Sequence, residues 1–211
     1  MPVITLESVT KSYRNRVLFR DVDLVVEEGE ITSFAGPNGA GKSVLFRLMC
    51  GFVAPDSGTV TIAPQFLSRG RTFPEDFGII IDRPGYLPGR TGLDNLRELA
   101  AIRGMIGEDE IRSAMESLGL DPARPQRVRQ YSLGMKQKLA LAQAFMERPR
   151  VLILDEPFNA LDAATVSTVK EHLRTLNAQG VTILFTSHNA DDIEELSTRK
   201  YRIEDANVIP A

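Results

Sequence analysis

The sequence predicts an α/β fold in which a helical segment interrupts a β-sheet core. An apolar strand, Ile31–Ala35, leads through a glycine-rich loop into a helical run, Val44–Cys50. A later strand, Val151–Leu154, is apolar throughout, which is typical of a strand covered on both faces of a parallel sheet. Between Ile81 and Met146 the apolar residues instead recur at helical spacing. These features predict a layered core with a helical insertion.

The first third of the chain is expected to form β-strands separated by turns. Turn residues such as Glu28-Gly29 and Asp56-Ser57-Gly58 divide it, and the second turn indicates a hairpin-like element. The β-branched runs between the turns are Val3–Val9, Val22–Val26, Glu30–Ala35, Thr59–Ala63 and Phe77–Ile81. We therefore expect an antiparallel β region in the N-terminal part.

Helices dominate the middle of the chain, and strands and helices alternate after it. Gly119 is expected to end the second helix of the middle segment, and Pro149 prevents the third from extending. The predicted elements are two helices within Thr91–Gly119, helices at Leu133–Met146, Ala163–Gln179 and Asn189–Ser197, and a strand at Val181–Thr186. We interpret 83–147 as a helical subdomain inserted into a single domain that spans 1–211.

Composition and charge exclude several classes of protein. The formal net charge is −3 over 211 residues and no dense Lys/Arg block occurs, so no nucleic-acid-binding surface is expected. The apolar runs are too short to span a bilayer, and Met1–Thr10 lacks the basic region and apolar core of a signal peptide. Cys50 is the only cysteine and is expected to be a core residue. We therefore expect a cytosolic protein.

The segment Gly36–Ser43 matches the phosphate-binding pattern G-x-x-x-x-G-K-[ST], and it has the strand–loop–helix context that the pattern requires. Its glycines let backbone N–H groups point at a polyphosphate, and the helix N-terminus adds positive potential. Lys42 is expected to reach the β- and γ-phosphates, and the Ser43 hydroxyl to ligate Mg²⁺. The sequence thus predicts a P-loop core that binds a nucleoside triphosphate.

Two carboxylates, Asp155 and Glu156, follow directly after the buried strand Val151–Leu154. Ligands of open α/β sheets bind at such strand ends. Asp155 can hold Mg²⁺ through water, and Glu156 can point at an attacking water. The alternative is an acidic N-cap pair ahead of a turn, because Pro157 comes next. The phosphate loop upstream favours the catalytic interpretation.

Two further segments stay ambiguous on the residues alone. Ser187-His188 follows the strand Val181–Thr186, which would bring His188 near the γ-phosphate, although a single histidine at a strand end is more often structural. Ser132-Leu133-Gly134 opens the third helix and could form a second anion site. The simpler alternative there is a serine N-cap, which the local physics favours.

These motifs together resemble the ATPase subunit of an ATP-binding cassette (ABC) transporter, over essentially the whole chain. Gly36–Ser43 resembles the Walker A loop, and Val151–Asp155 resembles the Walker B strand, with Glu156 as the catalytic glutamate. Tyr131–Gln137 is similar to the signature motif of bacitracin- and lantibiotic-type exporter ATPases. By the same resemblance Ala160-Leu161-Asp162 is the D-loop, His188 the switch histidine, and Tyr13 the aromatic residue that stacks on adenine.

The resemblance also implies which residues contact the nucleotide. They are Tyr13, Asn38, Gly39, Ala40, Gly41, Lys42, Ser43, Val44, Ser132 and Gly134, with Ser43 and Asp155 at the metal. Two positions depart from the family pattern. Val44 stands where a second hydroxyl residue is usual, which removes a side-chain contact to the α-phosphate. Asp82 occupies the usual glutamine position and is carried as a third candidate metal ligand. Lys42, Asp155, Glu156 and His188 are retained, so an active ATPase is expected.

The resemblance implies a mechanism with cofactors ATP and Mg²⁺. Two copies, as a homodimer or with a similar ATPase, close so that each ATP lies between the Walker A loop of one and Ser132–Gly134 of the other. Glu156 polarises the attacking water, His188 senses the γ-phosphate, and hydrolysis reopens the dimer. A separate integral-membrane permease is expected to dock at Asp82–Arg97, which places the protein on the cytoplasmic face of the membrane. The signature form favours export.

Two other functions are weighed against transport. One is a soluble ABC ATPase in cluster assembly, translation or DNA repair, but the chain has one cassette rather than two and lacks a long coiled-coil heptad run. The other is a nucleotide-binding module without hydrolysis, which the presence of Glu156 and His188 disfavours.

Overall fold

The computed structural model describes residues 1–14, 16–68, 73–82 and 85–211. Its strands form a three-stranded sheet, in the order β2-β1-β4, and a six-stranded sheet, in the order β5-β6-β7-β3-β8-β9. In chain order the strands are β1 (Pro2–Tyr13), β2 (Arg16–Glu27), β3 (Ile31–Ala35), β4 (Ser57–Ile62), β5 (Phe77–Ile80), β6 (Val151–Leu154), β7 (Thr182–Thr186), β8 (Arg199–Glu204) and β9 (Asn207–Pro210).

The described helices follow the predicted order closely. They are α1 (Lys42–Met49), α2 (Gly92–Arg103), α3 (Glu108–Glu116), α4 (Leu133–Phe145), α5 (Ala163–Ala178) and α6 (Ala190–Leu196), with 3₁₀ turns at Pro64–Phe66 and Val128–Gln130. Each predicted helix is present, its bounds differ by a few residues at most, and two helices divide the segment Thr91–Gly119 as predicted. None of the helices in the described ranges has the length and apolar character needed to cross a membrane.

The large sheet is covered on both faces, as the apolar strand β6 predicts. Val151 and Ile153 face a core shared with β1, β2 and α1, whereas Leu152 and Leu154 face a core shared with helices α2–α5. All four side chains are fully buried. Cys50, at the end of α1, lies in the first of these cores, and burial raises the pKa of its thiol to about 12. It is the core residue that the sequence predicts.

The strands differ from the prediction in two places. β4 pairs antiparallel with β1, Leu6 facing Val60, rather than forming a hairpin of its own. β8 and β9 form an antiparallel pair at the edge of the large sheet, and the sequence did not predict them. Charged residues dominate β8 and only Ile203 is buried, so the strand lacks the apolar alternation by which strands are recognised. The α/β class, with its antiparallel N-terminal region, is confirmed.

The segment 83–147 contains α2, α3 and α4, which pack on one another around Leu96, Met115 and Leu139. Its first two residues, 83–84, lie outside the described residues. That this segment behaves as a separate subdomain stays a prediction.

Candidate functional site

The phosphate loop lies between β3 and α1, at the carboxyl end of the large sheet. Gly41 adopts a left-handed φ of 104°, and a Cβ there would lie 2.9 Å from the ring of Phe19. Both the backbone conformation and the lack of space therefore favour glycine at this position. The Lys42 side chain is buried, and its Nζ donates to the Gly36 carbonyl oxygen at 2.8 Å. The lysine is therefore folded back along the loop, over the N-terminus of α1.

A cavity of about 320 Å³ opens at this loop. It is lined by Leu18, Asn38, Gly39, Gly41, Lys42, Ser43, Val44, Asp155 and Glu156. Two regions 110 residues apart in sequence thus share one cavity, as predicted for the Walker A and Walker B segments. Ala40 supports the loop instead, because its N–H donates to the Pro37 carbonyl oxygen at 3.1 Å.

Asp155 is held by hydroxyl groups from two other elements. The Ser43 hydroxyl donates to its Oδ2, and the Thr186 hydroxyl donates to Oδ1 at 2.6 Å. The same Thr186 oxygen accepts the N–H of Glu156 at 2.8 Å. Thr186, at the end of β7, is thus the residue that sequence reasoning missed; a hydroxyl residue at the end of the strand beside β6 was the available signal.

Glu156 joins the lysine of the loop to the histidine of the neighbouring strand. Its Oε1 lies 3.6 Å from Lys42 Nζ, and its Oε2 lies 3.0 Å from His188 Nδ1. The His188 side chain is otherwise largely exposed. Glu156 adopts a left-handed φ of 50°, which is uncommon for a residue with a side chain and occurs mainly where surrounding structure holds it. The backbone after β6 turns sharply so that Glu156 faces the loop.

The donor set suits Mg²⁺ bound together with a polyphosphate. Mg²⁺ prefers oxygen ligands and usually combines one or two carboxylates with substrate phosphates and water. Ser43 and Asp155 supply a hydroxyl and a carboxylate in mutual contact. In the described ranges, no group of three or more His, Cys, Asp and Glu side chains is placed to hold a metal by itself.

The structure places Asp82 apart from this pair. Its carboxylate forms an ion pair with the Arg47 guanidinium, on the last turn of α1, and it lines a different cavity from Ser43 and Asp155. Asp82 has a left-handed φ of 60°. Two of the three predicted metal ligands are therefore brought together, and the third is engaged by an arginine.

Tyr13 lies at the end of β1, directly opposite Arg16 of β2. Its side chain is 44% exposed, and Lys11 Nζ lies 5.3 Å from the ring centroid. Arg16 extends toward Gly39, since a Cβ on that glycine would lie 3.8 Å from an Arg16 guanidinium nitrogen. The aromatic ring is thus accessible beside the phosphate loop, and its stacking role stays a prediction.

Among the described residues that line the phosphate-loop cavity, none comes from the start of α4. Ser132 is exposed and caps the helix, accepting the N–H of Met135 at 3.2 Å, and Leu133 is 60% exposed. A Cβ on Gly134 would lie 2.7 Å from the Ala160 carbonyl oxygen, so the glycine permits backbone contact with the segment after β6. Ser132 is therefore the N-cap that the local physics favours, and the second anion site stays a prediction.

Comparison with known proteins agrees with this arrangement. The family model for ABC transporters matches residues 19–159. Over 98% of its length the chain is 34% identical to the uncharacterized ABC transporter ATP-binding protein YdbJ of Bacillus subtilis, of which it covers 68%. It is 36% identical to the bacitracin transport ATP-binding protein BcrA of Enterococcus faecalis, over 92% of this chain and 64% of that protein. It is 30% identical to the lantibiotic transport ATP-binding protein SrtF of Streptococcus pyogenes, over 92% and 84% of the two chains.

Solved structures extend the comparison to the fold. A dimeric structure of MJ0796, a bacterial ABC transporter cassette, superposes with a TM-score of 0.84 at 25% identity, over 97% of this chain and 96% of that one. The fold and the phosphate-loop site define a domain that binds and hydrolyses a nucleoside triphosphate. The chain belongs to the ABC transporter family, and it is an ATP-binding subunit whose ATP hydrolysis powers transport.

Proposed function

We propose that the chain hydrolyses ATP with Mg²⁺ at the phosphate-loop cavity, and that Lys42, Ser43, Asp155, Glu156 and His188 perform the chemistry. The observation that carries this proposal is the continuous set of contacts from Ser43 through Asp155 and Thr186 to Glu156, and from Glu156 to Lys42 and His188. These groups lie directly after, or at the end of, the neighbouring strands β6 and β7 and at the start of α1, so their side chains are fixed relative to one another.

Each group has a role that fits its position. Lys42 and the loop N–H groups hold the phosphates, as a helix N-terminus and a buried cation favour polyanions. Ser43 and Asp155 would hold Mg²⁺, which neutralises charge on the phosphates when bound. Glu156 orients and polarises the attacking water, and His188, in contact with Glu156, senses the γ-phosphate. Asp82 supports the loop through Arg47 rather than binding the metal.

The second phosphate site requires another copy of the chain or a similar ATPase. Among the described residues, none of 132–134 lines the phosphate-loop cavity, and Ser132 and Leu133 are exposed. A helix start that offers N–H groups to solvent favours an anion. We infer that ATP bridges the Walker A loop of one cassette and Ser132–Gly134 of the other, and that hydrolysis removes the bridge. Tyr13 stacks on the adenine at the side of this bridge.

A permease docks, in this proposal, on the surface formed by Asp82–Arg97. A cavity of about 280 Å³ lies there and is lined by Asp82, Tyr86, Pro88, Val128, Arg129, Leu133, Lys136 and Gln137. The cavity lies between the loop after β5 and the first turns of α4, so a partner seated in it would contact both of these segments. Residues 83–84 of this surface lie outside the described residues.

The direction of transport and the place of action are inferred from the relatives. BcrA and SrtF are described as bacitracin and lantibiotic transport proteins. By similarity we propose export through a separate permease, with this chain on the cytoplasmic face of the membrane and no nucleic-acid partner. We expect the helical segment 83–147 to move together with the docked permease.

The variant Glu156→Gln tests both catalysis and two-copy closure. It keeps the shape and hydrogen bonds of Glu156 but loses the carboxylate, so turnover should fall by about a hundredfold or more while ATP still binds. Light scattering on a size-exclusion column, with and without ATP and Mg²⁺, should show an ATP-dependent dimer. Glu116→Gln, an exposed glutamate of α3, is the control. Turnover within twofold of the parent would overturn the role of Glu156, and a strictly monomeric ATP-bound variant would overturn closure of the isolated chain.

A further inference from the structure

A buried ion pair lies behind the loop that carries His188. Lys170 of α5 and Asp192 of α6 are 7% and 6% exposed, and Lys170 Nζ lies 2.9 Å from Asp192 Oδ1. Lys170 also contacts Glu195 on the next turn of α6. Burial opposes the charge on Lys170, but the hydrogen bonds to Asp192 and Glu195 outweigh it and raise the pKa of the amine. The lysine therefore stays charged inside the protein.

The pair is linked by hydrogen bonds to Ser187 and, through Ser187, to Asn189, the residues on either side of His188. The Ser187 hydroxyl, itself buried, donates to Asp192 Oδ2 at 3.1 Å. The same hydroxyl accepts the N–H of Asn189 at 3.1 Å. His188 is thus the exposed residue between Ser187, which is bonded to Asp192, and Asn189, which is bonded to Ser187. This network fixes the backbone from which the imidazole reaches Glu156.

Lys170 faces the second catalytic loop as well. Its Nζ lies 6.0 Å from the ring centroid of Phe158, two residues after Glu156. Phe158 in turn packs edge to face against Phe185 of β7, with ring centroids 6.0 Å apart. The Lys170 ammonium group therefore lies near the segment that follows Glu156 and is bonded to the helix that follows His188.

Stability alone is a poor explanation for this arrangement. Replacing a buried ion pair by apolar residues of similar volume is often neutral or stabilising, because desolvation offsets the attraction of the charges. An ion pair, unlike apolar packing, holds its carboxylate in a fixed orientation for further hydrogen bonds. Here the Asp192 carboxylate accepts such a bond from the Ser187 hydroxyl.

We propose that Lys170 is a positioning residue for ATP hydrolysis, which acts through Asp192 and Ser187 to hold His188 against Glu156. The inference rests on the proposed role of His188. A displacement of about 1 Å in a reacting group can lower a rate by as much as a hundredfold, so loss of the network should reduce kcat. The phosphate loop is untouched by it, so the KM for ATP should stay constant.

The kinetic test compares Lys170→Met and Ser187→Ala with the control Arg174→Met. Arg174 lies on the same helix and pairs with Glu195 at 2.7 Å, without contacting Asp192. We expect kcat to fall about tenfold in the first two variants, with KM within twofold, and the control to keep the parent kcat. Ser187→Ala leaves the buried ion pair intact, so it reports on the connection even if Lys170→Met fails to fold. In the double variant the effects should not add, because both act through one connection.

The chain contains two histidines, which permits a readout that is independent of turnover. His172 lies on α5 and packs on Phe145 with ring centroids 4.9 Å apart, so its imidazole NMR signal reports whether α5 is intact. In Lys170→Met and Ser187→Ala the His188 signal should shift while the His172 signal stays. Assignment uses His188→Gln, whose own turnover tests the role on which the inference rests.

The outcomes separate the two ideas. Normal turnover in His188→Gln would overturn the role of His188, whatever the NMR signals show. Low turnover in His188→Gln, with an unmoved His188 signal and parent-like kcat in Ser187→Ala, would overturn the positioning role alone. Equal shifts of both histidine signals in Lys170→Met, together with parent-like kcat in Ser187→Ala, would show that Lys170 only stabilises the fold.

Discussion

The carboxyl end of the large sheet and the start of α4 both belong to the proposed ATP site, yet they are built in opposite ways. At the sheet edge, Lys42, Asp155 and Glu156 contact one another or share partners within a single chain. At the start of α4, the Ser132 hydroxyl accepts an N–H of its own helix, and the Leu133 side chain is largely exposed. The contacts at the sheet edge are complete within one chain, whereas in the proposed mechanism the start of α4 acts on the ATP of a second cassette.

We expect this difference to separate two steps, the binding of ATP to one copy and its hydrolysis by two closed copies. In the proposed mechanism a single copy holds the phosphates, because the sheet preorganises the groups that would contact them. Closure of two copies then adds the second helix start, so changes at α4 should affect dimer formation and turnover but not the affinity of one copy for ATP. Variants at each edge, taken from the largest effect to the smallest, test that division.

Lys42→Ala should produce the largest loss. It removes the buried cation from the phosphate loop, so ATP binding should be greatly weakened and turnover should fall at least about a hundredfold. Calorimetry of ATP binding to the isolated chain measures the first effect and phosphate release the second. Lys200→Ala, in β8, is the matched control. Near-normal turnover in Lys42→Ala would remove the basis for the phosphate-loop assignment.

Gly134→Ala should damage the other edge selectively. The added Cβ would lie 2.7 Å from the Ala160 carbonyl oxygen, so either α4 or the segment after β6 must shift. We expect turnover and ATP-dependent dimerisation to fall about tenfold, with ATP affinity of the monomer within twofold. Gly89→Ala is the control, because a Cβ there meets no atom within 4 Å. An equal loss of monomer affinity would contradict the division between the edges.

Asp82→Ala should have a smaller effect, which depends on the permease. The Arg47–Asp82 pair is half exposed, and such pairs contribute about 1 kcal/mol or less. Basal turnover should therefore change less than about twofold, whereas permease-stimulated turnover should fall several-fold because the loop joins the core to the docking surface. Arg47→Ala should reproduce this result. A change in the Mg²⁺ dependence of Asp82→Ala alone would instead identify Asp82 as a metal ligand.

His172 provides the smallest effect, and it involves neither edge. Burial lowers the pKa of its imidazole in the folded state below the ordinary value of about 6.5. Above pH 6.5 the ring is neutral in both states. Below it the unfolded chain binds the proton more readily, so the free energy of unfolding decreases as the pH falls. His172→Phe, which retains the contact with Phe145, should lessen the difference between urea midpoints at pH 7.5 and 5.5. An unchanged difference would show that other groups cause it.

The sequence predicted which residues lie at the sheet edge far better than it predicted the hydrogen-bond and ion-pair partners of those residues. Strand ends and loop motifs placed Lys42, Asp155, Glu156 and His188 at one edge, because parallel strands bring their carboxyl ends together. Thr186 was not predicted, since a threonine at a strand end carries no distinctive pattern. The pairing of Asp82 with Arg47 was not predicted either, because it depends on how the last turn of α1 lies against the loop after β5.

Burial also explains why some strands were predicted from the sequence and others were not. Val151–Leu154 was recognised because burial on both faces requires an uninterrupted apolar run. β8 lies beside β3 with only Ile203 fully buried, so its charged sequence gave no such signal. The Lys170–Asp192 pair joins two helices whose relative position follows from the sheet, not from local spacing.

The buried Cys50 gives this protein an intrinsic reporter of its own opening. It is the only thiol in the chain, it terminates the helix that begins at Lys42, and its pKa of about 12 leaves almost no reactive thiolate while the core is closed. Alkylation must therefore wait for the region around α1 to open, so the labelling rate becomes a measure of that opening equilibrium. A ligand held by the phosphate loop would slow the reaction in proportion to its occupancy. ATP binding could then be followed in the purified, unmodified protein by measuring the fraction of unlabelled Cys50 over time.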